Sequence, residues 1–175
     1  IEAVHLEFFS DTAAIADAKA EIFLGMNAAG TAVLNRDNPH FARLVGHART
    51  QGLRHILSFG SQDGSDAQLL RCTATGAGSI VEAKFFGQPL QFRLGAAGQH
   101  YAINALGTLL VAQAAGADLT ACAGALATYH APTGRGARQD VKLPQGGTVT
   151  IIDESYNASP VATRAGILTL GQVIP

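Results

Sequence analysis

The feature that most constrains the fold is a pair of short apolar segments, Thr31–Asn35 and Ile56–Phe59, separated by one helical pattern. Short apolar runs bounded by glycine, proline and polar residues are typical of strands buried on both faces, as in a parallel sheet. The region between them, Phe41–Thr50, follows Asn38-Pro39 and is predicted to be a helix. The chain is therefore predicted to contain a layer of parallel strands with helices packed against it.

The next part of the chain has a different pattern, in which apolar and polar residues roughly alternate. Ala67–Thr75 and Ser79–Phe86 are divided by Gly76-Ala77-Gly78, and Gln91–Leu94 comes after a Gly-Gln-Pro turn. Alternating segments joined by short turns predict antiparallel pairing. The whole pattern predicts an α/β fold, in which a parallel sheet with flanking helices is joined by a small antiparallel β meander.

Helical periodicity marks most of the remaining elements, and one further strand is predicted at Val149–Asp153. Ser10 or Asp11 is suited to cap the first helix, because a side-chain oxygen there accepts hydrogen bonds from the first free amides. Spacing of three and four residues predicts the buried stripe of that helix: Ile15, Ala18, Ile22 and Met26. This first helix is predicted at Thr12–Met26. The further predicted helices are His100–Ala115, Leu119–Tyr129 and Val161–Leu170.

Composition excludes several classes of function. The 175 residues are 47% hydrophobic and 14% charged, with a net charge of −1. These values predict one folded domain and give no reason to expect nucleic acid or an anionic membrane as a partner. No apolar run approaches the roughly 18 residues of a membrane-spanning helix, so membrane insertion is not expected. Cys72 and Cys122 lack metal-ligand spacing and are predicted to be buried free thiols of a reducing, cytoplasmic compartment.

Two residues near the start of the chain are candidate metal ligands. His5 follows a predicted strand, and the carboxyl ends of strands are where α/β sheets bind ligands. Lys19 has mainly apolar neighbours in its helix, so we expect partial burial and a lowered pKa. A neutral amine reacts with CO2 to form a carbamate, which would be a metal-binding carboxylate. The plainer alternatives are a hydrogen-bonded loop histidine and a solvated lysine.

Further candidates for ligand binding lie in the second half of the chain. His100 and Asn104 are four residues apart on one helical face, and an amide matches the donor and acceptor edge of adenine. Arg135 lies between glycines, and its planar guanidinium suits phosphate groups. Asp153 and Glu154 end a strand, where carboxylates could accept hydrogen bonds from ribose hydroxyls. Each of these residues also has an ordinary structural interpretation as a cap, a surface residue or a turn residue.

Taken in this order, these motifs resemble the Mur ligase family of ATP-dependent, amide-forming enzymes of peptidoglycan synthesis. The segment Asp-Glu-Ser-Tyr-Asn-Ala-Ser-Pro, which begins at Asp153, is similar to that of the MurF-type ligases. The MurE ligases and folylpolyglutamate synthases carry a histidine in this segment, and this chain does not. The matching segments are Ala3–Glu7, Ala16–Phe23, Leu34–Asn38, Gly98–Leu106, Gly134-Arg135 and Asp153–Pro160.

The resemblance implies a role for each candidate. Lys19 would be carbamylated and would hold Mg2+ beside His5. Asn104 would contact adenine, with His100 in the same motif, and Arg135 would bind the ATP phosphates and act in catalysis. The resemblance also implies a cofactor-binding segment near the ribose: Asp153, Glu154, Tyr156 and Asn157. The reaction implied is the addition of D-Ala-D-Ala to UDP-N-acetylmuramoyl tripeptide through an acyl phosphate.

Two substitutions and one missing motif depart from the family pattern. Tyr101 stands where the family usually has Asn, and Ser159 replaces another Asn. No Gly-x-x-x-x-Gly-Lys-Ser/Thr phosphate loop occurs in these residues. Ile1–Val4 also has the pattern of the end of a strand, which predicts a piece of a longer polypeptide. We therefore expect residues 1–175 to be the latter part of the central ATP-binding domain.

On this interpretation the phosphate loop, the N-terminal UDP-sugar domain and the C-terminal domain are missing from these residues. Phosphoryl transfer depends on positioning and charge neutralisation, so the isolated chain is predicted to be inactive. Two alternatives stay open at this point. One is a non-catalytic nucleotide-binding or interaction module, and the other is a related amide ligase, either another Mur ligase or a folylpolyglutamate synthase.

Overall fold

A computed structural model describes residues 1, 9–76, 78–156 and 159–172. The predicted strand at Ile1–Val4 lies largely outside the described residues. Two 3₁₀ turns, Glu21–Gly25 and Leu126–Thr128, extend the first and fourth helices. The helices are α1 Thr12–Ala20, α2 Phe41–Thr50, α3 Gln99–Ala114, α4 Leu119–Ala125 and α5 Pro160–Gln172. The strands are β1 Thr31–Asn35, β2 His55–Gly60, β3 Ala67–Thr75, β4 Gly78–Phe85, β5 Gln88–Leu94, β6 Ala137–Lys142 and β7 Thr148–Asp153.

One mixed sheet of five strands, in the order β1-β2-β3-β4-β5, forms the centre of the described structure. β1, β2 and β3 run parallel to one another, whereas β3, β4 and β5 form an antiparallel meander. The predicted α/β fold is confirmed. The meander and the parallel layer belong to the same sheet, because β3 pairs with both β2 and β4.

Helices cover both faces of β1, and the alternation of side chains along the strand explains why. Ala32 and Leu34 pack in a cluster with residues of α1 and α2. Val33 points to the opposite face and packs in the cluster that contains α3. Leu106 and Leu110 of α3 are 0% exposed at the centre of that second cluster. Burial of a leucine side chain stabilises a fold by about 1.5–3 kcal/mol, so α3 is firmly anchored.

The first helix confirms the predicted cap but not the whole predicted stripe. Asp11 accepts a hydrogen bond from the Ala14 amide at 2.8 Å, as expected for an N-cap. Ile22, however, is 69% exposed, and Phe23 is buried in its place. The reason is that the helix tightens into a 3₁₀ turn at Glu21, where each residue turns further around the axis than in an α-helix.

The sequence pattern does not predict the strand β6. Its side chains are half-buried or exposed, so the segment lacks the buried apolar alternation of an inner strand. It forms because it pairs antiparallel with β7 in a separate two-stranded sheet. The glycine pair Gly146-Gly147 between the strands was the available sequence signal for this hairpin. The pairing places Ala137 opposite Asp153 and so brings two candidate segments together.

Two composition-based predictions concern membranes and cysteines. Within the described ranges, no helix combines the length and apolar character needed to cross a membrane. Cys72 and Cys122 are free thiols, but both are half-buried instead of fully buried.

Candidate functional site

A cavity of about 610 Å³ lies where the start of α3, the loop before β6 and the start of α5 meet. A second cavity of about 550 Å³ adjoins it and shares His100, Asn104 and Ala165. The polar residues of the first cavity include most of the predicted nucleotide-binding residues. Its lining is His100, Tyr101, Asn104, Tyr129, Pro132, Arg135, Glu154, Tyr156, Ser159, Val161, Ala162 and Ala165.

The first turns of α3 supply an imidazole and an amide to the cavity wall. Asn104 is exposed one helical turn after His100. Burial lowers the pKa of His100, which favours the neutral imidazole. The buried leucines of the same helix fix the position of this wall. The predicted pairing of His100 and Asn104 on one helical face therefore corresponds to the observed geometry.

The loop that carries Arg135 is held against the end of β7 by two backbone amides, which donate hydrogen bonds to Asp153. The Gly134 amide donates to the Asp153 carboxylate at 2.9 Å, and the Gly136 amide donates to the Asp153 carbonyl oxygen at 2.7 Å. Gly134 has φ +76° and Gly136 has φ +89°, a left-handed conformation that favours glycine. The sequence Gly-Arg-Gly therefore allows this loop to turn sharply and present the arginine.

The guanidinium of Arg135 lies against an aromatic ring. Its Cζ atom is 4.8 Å from the centroid of the Tyr156 ring, which is the geometry of a cation–π contact. The Tyr156 amide also donates to the Gly134 carbonyl oxygen at 2.9 Å. Arg135 is exposed, so its remaining donors are open to an anion in the cavity.

The adjacent carboxylates Asp153 and Glu154 have opposite environments. Hydrogen bonds from Ser155 and then from Gly134 lower the pKa of Asp153. Burial, together with the nearby charge of Asp153, raises the pKa of Glu154. The Asp153 oxygens accept hydrogen bonds from backbone amides, whereas Glu154 lines the cavity. Glu154 is therefore the carboxylate of this pair that is placed to meet a ligand.

All three tyrosines of the chain line the cavity, and two of them, Tyr101 and Tyr129, were missed as site residues. Their ring centroids are 5.9 Å apart. Burial raises the pKa of Tyr101 to about 12. Tyr101 had one sequence signal, since it is adjacent to His100 in the recognised motif. Tyr129 had none, because only the packing of α4 against β5 brings it to the cavity.

Of the two predicted metal ligands, only Lys19 lies among the described residues, and it is not part of the cavity lining. Lys19 is exposed in the last turn of α1, so the expected partial burial is wrong. The buried residues of α1 are Ile15, Ala16 and Ala20. A lysine beside such residues can still hold its ammonium in water, because its side chain is long and flexible. His5 and Asn157 lie outside the described residues. Within residues 1, 9–76, 78–156 and 159–172, no group of three or more His, Cys, Asp or Glu side chains is arranged to hold a metal ion.

Ser159, the second departure from the family pattern, has a clear structural role. Its hydroxyl accepts a hydrogen bond from the Ala162 amide at 3.2 Å, and its carbonyl oxygen accepts one from the Thr163 amide. Ser159 therefore caps the first turn of α5. This cap fixes the start of the helix that forms one side of the cavity.

Comparison with protein families gives a match to the Mur ligase middle domain over residues 1–112. A UDP-N-acetylmuramate–L-alanine ligase of Mycolicibacterium gilvum is 33% identical over 99% of this chain and 36% of its own length. A UDP-N-acetylmuramoyl-tripeptide–D-alanyl-D-alanine ligase of Rickettsia prowazekii is 27% identical over 99% of this chain and 37% of its own length. The chain thus spans little more than a third of the length of these relatives.

Comparison with solved structures also gives a match to a Mur ligase. The crystal structure of the MurF ligase of Thermotoga maritima in complex with ADP matches with a TM-score of 0.81 and 26% identity. The match covers 99% of this chain and 38% of that protein. The region of similarity therefore includes the α3, Arg135 and α5 segments that form the cavity.

Proposed function

The chain belongs to the Mur ligase family, and on that premise we propose that it is the nucleotide-binding part of an ATP-dependent amide ligase of peptidoglycan synthesis. The observation that carries the proposal is the convergence of Asn104, Arg135 and Glu154 on one tyrosine-lined cavity. These residues are distant in the sequence, and each matches a different part of a nucleotide. The proposed compartment is the cytoplasm, where such precursors are made.

The chemistry of the cavity supports binding of ATP. The Asn104 amide has the donor and acceptor needed for the edge of adenine, and the aromatic rings offer stacking surfaces. The Arg135 guanidinium suits the phosphates, since charge-assisted hydrogen bonds to phosphate are strong. Glu154 can accept hydrogen bonds from the ribose hydroxyls. The Thermotoga maritima relative was solved with ADP, which supports this choice of ligand.

The proposed reaction is the addition of D-Ala-D-Ala to UDP-N-acetylmuramoyl tripeptide. ATP would phosphorylate the terminal carboxylate, and the amine of the dipeptide would displace phosphate from the acyl phosphate. Similarity to the MurF-type ligases in the segment that begins at Asp153 supports this substrate. Addition of L-alanine to UDP-N-acetylmuramate is the second candidate, because a ligase of that kind is 33% identical to the chain.

We also propose that residues 1–175 are the latter part of the central domain of a longer ligase. The match to little more than a third of each relative supports this. Mg2+ is the expected metal, with His5 and carbamylated Lys19 as its ligands. The described residues do not form a ready metal site, so no part of the nucleotide-binding proposal depends on the metal.

Nucleotide binding can be measured directly, because the chain has three tyrosines, all in the cavity wall, and no tryptophan. Tyrosine fluorescence is therefore a specific reporter of this cavity. Titration with ADP or ATP should give a saturable change in emission, and titration with inorganic triphosphate should not reproduce it. A lack of saturable binding would contradict the proposal.

Substitutions then test the assignment of the side chains. Arg135→Ala should weaken ADP binding by about tenfold, as expected for the loss of charge-assisted hydrogen bonds. Arg49→Ala is the matched control, because Arg49 is exposed on α2, which packs away from α3. Equal losses in both variants would show that general charge, and not the cavity, determines binding.

The acceptor is identified with the longer polypeptide that contains this chain. Phosphate release from ATP should require the UDP-N-acetylmuramoyl tripeptide together with D-Ala-D-Ala. A requirement for UDP-N-acetylmuramate and L-alanine would instead establish the second candidate. Phosphate release that depends on neither pair would contradict both.

A further inference from the structure

Tyr101 connects two separate walls of the cavity. Its ring belongs to the first turn of α3, but its hydroxyl donates a hydrogen bond to the backbone carbonyl oxygen of Arg135. Gly136, the next residue of the loop, also lies close to this contact, because a Cβ atom added there would be 3.3 Å from the Tyr101 hydroxyl oxygen. The helix and the arginine loop are therefore linked through one side chain.

The Tyr101 ring is itself in contact with two neighbouring aromatic rings. The His100 and Tyr101 ring centroids are 4.3 Å apart, and the Tyr101 and Tyr129 ring centroids are 5.9 Å apart. Ala102, the next residue of α3, is 0% exposed, so the backbone at this point is anchored in the core. A rigid support of this kind restricts the position of the carbonyl group to which the hydroxyl donates.

Arg135 is consequently restrained at both ends. Its backbone carbonyl is bound by Tyr101, and its guanidinium lies over the Tyr156 ring. A long exposed arginine normally loses considerable rotamer freedom when it binds an anion. A loop and side chain that are already restrained lose less, which strengthens binding without any direct contact between the restraint and the ligand.

We propose that Tyr101 is a positioning residue, which acts through the Arg135 loop to aim the guanidinium at the phosphate groups of a nucleotide in the cavity. The proposal rests on the proposed function, since it takes the ligand to be a nucleotide. It gives a role to the tyrosine that replaces the usual Asn of the family motif. It also separates two contributions to affinity, because binding of the phosphate groups depends on Tyr101 and binding of the adenosine moiety does not.

The test compares Tyr101→Phe with Tyr129→Phe in the 175-residue chain. Both changes remove one hydroxyl from neighbouring rings, but among the described residues only the Tyr101 hydroxyl has a hydrogen-bond partner. Binding of ADP and of adenosine is measured by calorimetry and by the fluorescence of the two remaining tyrosines. Tyr101→Phe should weaken ADP binding about three- to tenfold and leave adenosine binding unchanged. Tyr129→Phe, at another ring of the cavity wall, should affect ADP and adenosine to the same extent, so the ratio of the two affinities should stay constant.

A double-mutant cycle shows whether the effect passes through the guanidinium. The Arg135→Ala variant keeps the backbone carbonyl that Tyr101 binds, but it lacks the side chain that the loop presents. In this background Tyr101→Phe should have no further effect on ADP binding. A persistent effect would mean that Tyr101 contacts the ligand directly. An equal change in the ratio of ADP to adenosine affinity in Tyr101→Phe and Tyr129→Phe would also overturn the proposal. Absence of ADP binding by the unmodified chain would instead refute the proposed function itself.

Discussion

The carboxylate of Asp153 accepts a hydrogen bond from the backbone amide of Gly134 at 2.9 Å, which joins the end of β7 to the loop that carries Arg135. The second carboxylate oxygen of Asp153 accepts one from the Ser155 amide at 3.0 Å. The sequence and the family resemblance predict that both Asp153 and Glu154 lie near the ribose. In the structure the Asp153 side chain organises the backbone around the cavity, and Glu154 is the neighbour that lines it.

Asp153→Asn should lower the melting temperature at neutral pH. Both oxygens face N–H donors, so an amide NH2 at this position would lose one of the two hydrogen bonds. The pKa of Asp153 is lowered in the folded state. Its ionised carboxylate therefore contributes fully to the stability of the fold above the ordinary Asp pKa of about 4, and this contribution is lost as the pH falls through the lowered pKa of the folded chain. The difference between the variant and the unmodified chain should therefore disappear in acid.

The control for this experiment is Asp140→Asn, in the partner strand of the same hairpin. Asp140 accepts a hydrogen bond from the exposed Thr150 hydroxyl, a contact that an amide oxygen can keep. Thermal melts between pH 2 and pH 8 compare the two variants. A difference for Asp153→Asn that grows as the pH falls would contradict the assigned role.

Glu154→Gln should raise the stability of the chain at neutral pH, which is opposite to the effect expected of Asp153→Asn. Burial and the charge of Asp153 raise the pKa of Glu154, so the ionised carboxylate destabilises the folded chain. This loss of stability is absent below the pKa of an unfolded Glu, about 4.3, and develops as the pH rises through the raised pKa of Glu154 in the folded chain. Melting temperatures measured across this window should coincide in acid and diverge towards pH 8. A lower melting temperature for the variant at pH 8 would show that the carboxylate is not penalised.

Gly134→Ala should disrupt the arginine loop more strongly than its backbone conformation alone requires. A Cβ atom at this position would lie 2.5 Å from the Tyr156 Cβ, in addition to the strain of φ +76°. Gly146→Ala is a matched control, because Gly146 has φ +88° with no atom within 4 Å of an added Cβ. Gly146→Ala should lower the free energy of unfolding by about 1–2 kcal/mol, because alanine is strained in the left-handed conformation. Chemical denaturation should show a larger loss for Gly134→Ala, and similar losses would contradict the clash.

Two helical glycines should respond to the same substitution with opposite signs. Gly107 of α3 faces the core, where an added Cβ would lie 2.9 Å from the Phe59 ring, so overpacking should destabilise Gly107→Ala by about 1 kcal/mol. Gly124 of α4 has no atom within 4 Å of an added Cβ, so Gly124→Ala should gain about 0.5–1 kcal/mol of helix stability. Urea denaturation measures both, and a stabilising Gly107→Ala would show that Phe59 moves aside at little cost.

Local patterns in the sequence were sufficient for most of the secondary structure. The bounds of β1 and α2 agree with prediction, because each is defined by apolar spacing and by the turn residues that flank it. β6 was missed because a polar ribbon has no such spacing, and its existence depends on pairing with β7. The stripe of α1 was partly wrong because the change to a 3₁₀ turn is not visible in apolar spacing.

For the site, residue chemistry made Asn104 and Arg135 candidates beside an ordinary structural interpretation, and the family resemblance assigned them to adenine and to the phosphates. Only the tertiary structure decided that Tyr101 and Tyr129 share their cavity, that Glu154 and not Asp153 lines it, and that Lys19 is exposed. The physical reason is that helix and strand periodicity act over a few neighbouring residues. Burial and hydrogen bonding between distant segments are determined only when the layers pack together.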